Sequence, residues 1–208
     1  MMMKSKKSSD ESPIGHLCPW WLGYLLINPF RRIYQNPVKL LGPFVEKGMT
    51  VLEPGCGMGY FTLDVARLVG PGGRIVAVDI QERMLSSLKR RAARAGLLDR
   101  LETHLVKDRD IGVAHLSGQI DMAFAFYMLH EVEGLPGFFE QVIDSLKPGG
   151  RFLIVEPRGH VSSDKFDFIL DIARHAGFRV IDRPKITSGR TALLDKPVRE
   201  SGEVACDL

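Results

Sequence analysis

The run Val51-Leu52-Glu53-Pro54-Gly55-Cys56-Gly57-Met58-Gly59-Tyr60 constrains this chain more than any other stretch. A short apolar strand feeds a turn carrying three glycines, and the turn opens into an amphipathic segment. Glycines in such a turn adopt backbone angles that a side chain forbids, and they let the main chain approach a ligand with no Cβ in the way. A turn of this kind grips a nucleotide-like molecule. The apolar run Ile75-Val76-Ala77-Val78 ends in Asp79. That aspartate follows the glycines by about 20 residues, the separation with which a βαβ unit brings a carboxylate onto a ribose.

The dinucleotide fingerprint G-x-G-x-x-G requires glycine at its sixth position, where the helix packs against the strand. Tyr60 stands there, and the pattern is instead E-x-G-x-G-x-G. The carboxylate of Glu53, two residues before the first glycine, opposes a pyrophosphate but suits an ammonium group or a sulfonium. An NAD-dependent oxidoreductase is therefore disfavoured, and S-adenosylmethionine is the ligand that fits the pattern.

With 208 residues and 45% apolar side chains, the chain matches one α/β domain with a full core. A net charge of +3 is too small to argue for a nucleic-acid partner. The densest basic stretch, Lys89-Arg90-Arg91 with Arg94, lies on the helical pattern Met84, Leu85, Leu88, Ala92, Ala95 and suits a solvated face. Cys18, Cys56 and Cys206 are far apart and odd in number, so neither a disulfide framework nor a metal knuckle is expected. No metal is expected at the site, and a reducing, cytoplasmic compartment fits. Met1 to Glu11 lacks the apolar core of a signal peptide, and residues 1–15 are expected to be a disordered tail.

Strands are expected at Thr50 to Glu53, Arg74 to Asp79, Leu101 to Val106, Ile120 to Phe126 and Arg151 to Glu156. They alternate with helices near Tyr60 to Val69, Glu82 to Ala95, Leu135 to Leu146 and Ser163 to Ala176. Such alternation means a parallel sheet covered on both faces. Phe178 to Ile186 and Thr191 to Asp195 form two further strands joined by a turn. Residues 46–197 thus make one α/β domain, followed by a tail at 198–208. Residues 16–45 form an N-terminal arm that holds both tryptophans, Trp20 and Trp21, and its stretch from His16 to Leu41 is expected to close over the ligand as a lid.

In Glu53 to Gly59, in Val78-Asp79-Ile80, in Asp121 to Val132 and in Leu146-Lys147-Pro148-Gly149-Gly150-Arg151, the chain resembles the class I S-adenosylmethionine-dependent methyltransferases. The resemblance covers roughly residues 38 to 195. It implies a Rossmann-like α/β fold, a seven-stranded mostly parallel sheet in the order 3-2-1-4-5-7-6 with helices on both faces. It also implies a site. Glu53 and the backbone of Gly55 and Gly57 meet the methionine part of the cofactor, with Cys56 and Gly59 in the same turn. Asp79 accepts from the ribose hydroxyls and Ile80 packs on the adenine. Asp108 accepts from the adenine amino group, with Arg109 beside it where relatives carry a small residue. Asp110 is equally acidic, and either aspartate also suits a turn cap. Ala125-Phe126-Tyr127 offers main-chain carbonyls to the ammonium group, although Phe126 and Tyr127 equally suit core aromatics.

Methyl transfer from a sulfonium is an in-line displacement. Holding the nucleophile at about 3 to 3.5 Å supplies roughly 7 to 11 kcal/mol before any acid or base acts. A base helps only when the acceptor arrives protonated, and the candidates are Tyr127, His130, Glu131, Glu156 and His160. His130 is preferred because histidine ordinarily titrates near neutral pH; it equally suits a residue that merely holds the loop. Phe126-Tyr127-Met128-Leu129 is unlike N-P-P-Y, which argues against base amino groups and glutamine amides as acceptors. Too few cysteines lie near the turn for arsenite. Leu129-His130-Glu131-Val132 and Val155-Glu156-Pro157 are similar to runs in the quinone-biosynthesis and small-molecule branches. A small, apolar or aromatic acceptor is expected, with Trp20, Trp21, Tyr24 and Phe30 lining its pocket. The alternative is an arm that docks on a membrane surface or partner, motivated by Trp20 and Trp21 next to Leu22, Leu25, Leu26 and Arg31-Arg32.

Overall fold

The computed structural model describes residues 30–186 and 189–198. Trp20, Trp21 and Tyr24 of the expected arm lie outside the described residues, as do the N-terminal tail and most of the C-terminal one. Among the described residues two short helices come first, α1 (Arg31–Tyr34) and α2 (Pro37–Leu41). Asn36 starts the second by accepting from the N–H groups of Val38 and Lys39 at 3.0 and 3.2 Å, with Pro37 next. A cap of this kind stabilises by about 1 kcal/mol.

The chain then alternates: β1 (Thr50–Pro54), α3 (Thr62–Leu68), β2 (Arg74–Asp79), α4 (Glu82–Arg94), β3 (Leu101–Leu105), β4 (Ile120–Phe126), α5 (Leu135–Ser145), β5 (Leu146–Pro157), α6 (Ser163–His175), β6 (Arg179–Asp182) and β7 (Gly189–Asp195). The sheet order is β3-β2-β1-β4-β5-β7-β6, as the resemblance implies. β1 pairs in parallel with β2 and β4, while β7 runs antiparallel to both β5 and β6.

Strands covered on both faces are apolar throughout rather than alternating. Leu52, Val76, Val78 and Ala123 pack on one face with Phe139 of α5 and Phe166 and Leu170 of α6. Val51, Ile75, Met122 and Phe124 pack on the other with Val65 of α3 and Leu88 of α4. Successive residues of one strand therefore serve two cores, and the site is left to the strand ends.

Some boundaries differ from expectation. β5 begins at Leu146, which pairs with Ile120 before the register shifts so that Arg151 pairs with Met122. The intervening Pro148-Gly149-Gly150 accommodates that irregularity. β6 stops at Asp182, two residues before Pro184, whose missing N–H cannot continue a ladder. On α4, Met84, Leu85, Leu88 and Ala92 are buried, but Ala95 is exposed at the C-cap. Lys89, Arg90 and Arg94 are exposed, whereas Arg91 is half-buried and donates to the Met58 carbonyl. Among the described residues, no helix is long and apolar enough to cross a membrane.

Candidate active site

β1 and β4 are neighbours whose following strands lie on opposite sides, so their carboxyl ends open a crevice. The glycine turn leaves β1 at this edge. Its Gly57 N–H donates to Asp79 Oδ2 at 2.8 Å, and the Cys56 N–H donates to the Val78 carbonyl at 3.1 Å. Bend and carboxylate are thus joined directly.

Gly57 and Gly59 sit at φ of 54° and 81°, in the left-handed region, for different reasons. A Cβ on Gly57 would meet nothing within 4 Å, so the turn fronts open space there. A Cβ on Gly59 would collide with Leu88 Cδ1 on α4. Gly59 therefore lets the turn pack against a helix, the task the sixth glycine performs in dinucleotide folds.

Asp79 is 8% exposed. Burial pushes its carboxyl up, while hydrogen bonds from Gln81, Gly57 and Ile80 pull it down. Its Oδ1 accepts from the Gln81 N–H at 2.8 Å. A carboxylate offers about four acceptor positions, so capacity remains for a ligand hydroxyl. Ile80, beside it, is 43% exposed, a large apolar side chain left uncovered at the crevice edge.

Glu53 is buried and accepts from Thr62 Oγ1 at 2.6 Å. Burial pushes its carboxyl up to about 8, Thr62 opposes this, and the Asp79 charge adds to it. At neutral pH this favours the protonated form. Cys56 is buried too, and burial with the charges of Glu53 and Asp79 pushes its thiol up. The sulfur is therefore inert, and Cys56 serves through its N–H.

Asp108 and Arg109 are exposed beyond β3, in the two-residue turn between Lys107 and Asp110, whose backbones bond at 3.2 and 2.9 Å. Asp108 has φ 55°, which aspartate tolerates. Asp110 is the cap of the pair, accepting from the Gly112 N–H at 2.7 Å.

At the end of β4, Phe126 stacks on Phe61 at 4.3 Å between ring centres. Tyr127 has φ 59°, an outlier for a bulky residue and a conformation that surrounding contacts must hold. Its N–H donates to the Val155 carbonyl at 2.8 Å, and its hydroxyl receives the Gln35 side-chain amide. Gln35 is itself buried; its carbonyl accepts from the Tyr60 hydroxyl at 2.7 Å and its side chain from Arg31 Nε at 2.7 Å. The Arg31 guanidinium lies 4.3 Å over the Tyr60 ring. The described end of the arm is thus tied to the glycine turn and to β4. Nothing in the sequence singled out Gln35, because a lone glutamine carries no pattern.

Glu156, at the end of β5, is fully buried. Its Oε1 accepts from the N–H groups of Met128 and Leu129 at 3.1 and 3.0 Å, and its Oε2 lies 2.5 Å from His130 Nδ1. Burial pushes its carboxyl up, opposed by His130 and by those two amides. The His160 ring is 6.1 Å from that of His130, and Glu131 Oε1 lies 3.8 Å from His130 Nε2. Four of the candidate bases therefore gather here, with Tyr127 three residues away along the chain. Asp121 does not join them: at the opposite end of β4 it accepts from Thr50 N–H at 2.8 Å and Lys147 Nζ at 2.5 Å, as a brace.

Known proteins resemble this chain in sequence and in fold. A family model described as "Methyltransferase domain" matches residues 45–181. A protein-L-isoaspartate O-methyltransferase of Arabidopsis thaliana is 33% identical over 159 residues, 75% of this chain and 66% of the relative. A demethylmenaquinone methyltransferase of Symbiobacterium thermophilum is 31% identical over 109 residues, 52% of this chain and 43% of the relative. The chain thus spans less than two thirds of the length of these relatives. A solved S-adenosylmethionine-dependent methyltransferase of Aquifex aeolicus superposes with a TM-score of 0.76 at 22% identity, over 86% of this chain and 98% of that one. The chain belongs to the methyltransferase-domain family.

Proposed function

We propose that the chain transfers a methyl group from S-adenosylmethionine to a small aromatic acceptor that arrives with an ionisable hydroxyl. The observation that carries the cofactor half is the 2.8 Å bond from Gly57 to Asp79, with open space before Gly57 and uncovered Ile80 alongside. S-adenosylmethionine, when bound, supplies a methyl group activated by sulfonium. Asp79 holds the ribose hydroxyls with its remaining acceptor capacity. Glu53, relieved of its proton, faces the cationic end; Gly55, Gly57 and the Phe126 carbonyl line the same end. Ile80 packs on the adenine, and Asp108 accepts from its amino group.

The acceptor half rests on His130 and Glu156. Two backbone amides hold Glu156 through Oε1, and with Oε2 accepting a hydrogen bond from Nδ1–H of the neutral imidazole, Nε2 keeps the lone pair of a base. A base built this way is useful to an acceptor that must lose a proton, such as a phenol or a hydroquinone ring. A carboxylate such as that of an isoaspartate, the residue in the Arabidopsis relative's name, arrives ionised and gains nothing from it. The quinone-type relatives therefore lend the better analogy.

Calorimetry with S-adenosylmethionine and its demethylated product tests the first half: absence of heat, absence of thermal stabilisation and an inert Asp79→Ala would end the proposal. Transfer of labelled methyl to hydroquinones and phenols, set against peptide carboxylates, tests the second. Carboxylate methylation unaffected by His130→Gln would refute it.

A further inference from the structure

Away from the crevice, three side chains converge on one point beside β3. His104 Nε2 lies 2.7 Å and His115 Nε2 2.9 Å from the same carboxylate oxygen, Oε1 of Glu102. The donor atoms of all three lie within 4.8 Å of one another. We propose that Glu102, His104 and His115 form a binding site for a divalent transition-metal ion of the zinc type.

The arrangement follows from the fold. Glu102 and His104 are two residues apart on β3, so they project from one face of the strand. β3 is an edge strand, and on that face Glu102 and His104 remain partly exposed. His115 comes from a 3-10 turn, Ala114–Leu116, on the loop between β3 and β4. That loop is fixed rather than loose: Ile111, Val113 and Leu116 are buried in the core. The Ile111 N–H donates to Gln141 Oε1 at 2.9 Å, and Gln119 Nε2 donates to the His115 carbonyl at 2.9 Å. Gly112, at φ 74°, lies against the His104 ring and lets the loop close over it.

Two imidazoles and one carboxylate are a recurrent donor set for zinc and its neighbours. Bonds of about 2.0 to 2.1 Å at tetrahedral angles place donors about 3.4 Å apart. The two nitrogen–oxygen distances, 2.7 and 2.9 Å, therefore need to open by about 0.7 and 0.5 Å, within the reach of side-chain rotation. In the ion-free arrangement the imidazole N–H groups fill the space a cation would take; with a metal bound, each ring carries its proton on Nδ1. Arg74 Nη1 lies 3.5 Å from Glu102 Oε2, which leaves Oε1 to the metal and makes the carboxylate a one-oxygen ligand. The guanidinium opposes the cation, and only three ligands are protein groups. The site thus binds reversibly, with water completing the coordination, unlike a closed four-ligand structural site.

The test uses the full chain, stripped by chelator and titrated with Zn²⁺ by calorimetry and with Co²⁺ by visible absorption. The expected result is one ion per chain with cobalt bands in the visible region. His104→Gln and His115→Gln should each weaken binding by roughly tenfold or more, and His175→Asn, on the far end of α6, should leave it unchanged. His115 is exposed, so its variant folds even if His104→Gln does not, which the unfolding curve reports. Absence of stoichiometric binding would overturn the site. So would binding of equal strength in the His115→Gln variant, since the ion would then be held elsewhere.

Discussion

Replacing Glu53 by glutamine isolates the most perturbed carboxyl of the site. Burial raises it from 4.5 to about 8. A carboxyl raised by folding keeps its proton in the native state at pH values where the unfolded chain has lost it. Its contribution is fully present below pH 4.5, fades as pH rises, and is gone above about 8. At 1.36 kcal/mol per pH unit, that interval amounts to at most about 5 kcal/mol of stability lost between pH 4.5 and 9. The substituted amide does not ionise and can still accept the Thr62 hydroxyl, so the variant should lose this component of the slope. Urea midpoints followed by circular dichroism at steps from pH 5 to 9 measure it. The diagnostic is the slope rather than absolute stability, since the new amide N–H groups add a constant cost that does not vary with pH. Saturating S-adenosylmethionine should flatten the wild-type slope as well, because a cation beside Glu53 stabilises the ionised form. Parallel slopes for wild type and Glu53→Gln without ligand would refute the account of a proton held by burial.

The other perturbations separate cradle from scaffold. Asp79→Ala removes the proposed ribose acceptor and the partner of Gly57, and S-adenosylmethionine affinity by calorimetry should fall about 100-fold, the effect of roughly 3 kcal/mol of charge-assisted hydrogen bonding. Gly59→Ala combines left-handed backbone with the collision at Leu88, and should destabilise by about 2 to 5 kcal/mol in thermal melts. Gly57→Ala meets no neighbour and should lose only about 1 to 2 kcal/mol of stability while weakening cofactor binding at least roughly tenfold, because its Cβ enters the ligand space. With a hydroquinone acceptor, His130→Gln should lower kcat by about 10² to 10⁴ and leave cofactor affinity unchanged. Glu156→Gln, a positioning change, should alter the shape of the pH–rate profile rather than KM.

Residue order alone carried the fold class, the strand order through its family resemblance, and the pairing of the glycine bend with Asp79. These are legible because they are local: strand, turn and helix are written in contiguous residues, and a carboxylate about 20 positions on must return to the same edge of a βαβ unit. It assigned the adenine amino group to Asp108 through the resemblance, with Asp110 equally acidic beside it; which of the two closes the turn was not legible, and the turn geometry has Asp110 bonded to Gly112. Gln35, Thr62 and the locking of Glu156 were invisible, because each matters through partners 92, 9, or 27 and 28 residues distant. The convergence of Glu102 and His104 with His115 needed an edge strand and a fixed loop to exist at all. Periodicity records which face a residue takes, whereas contact across the sheet depends on where loops return, and that is settled only when the whole chain packs.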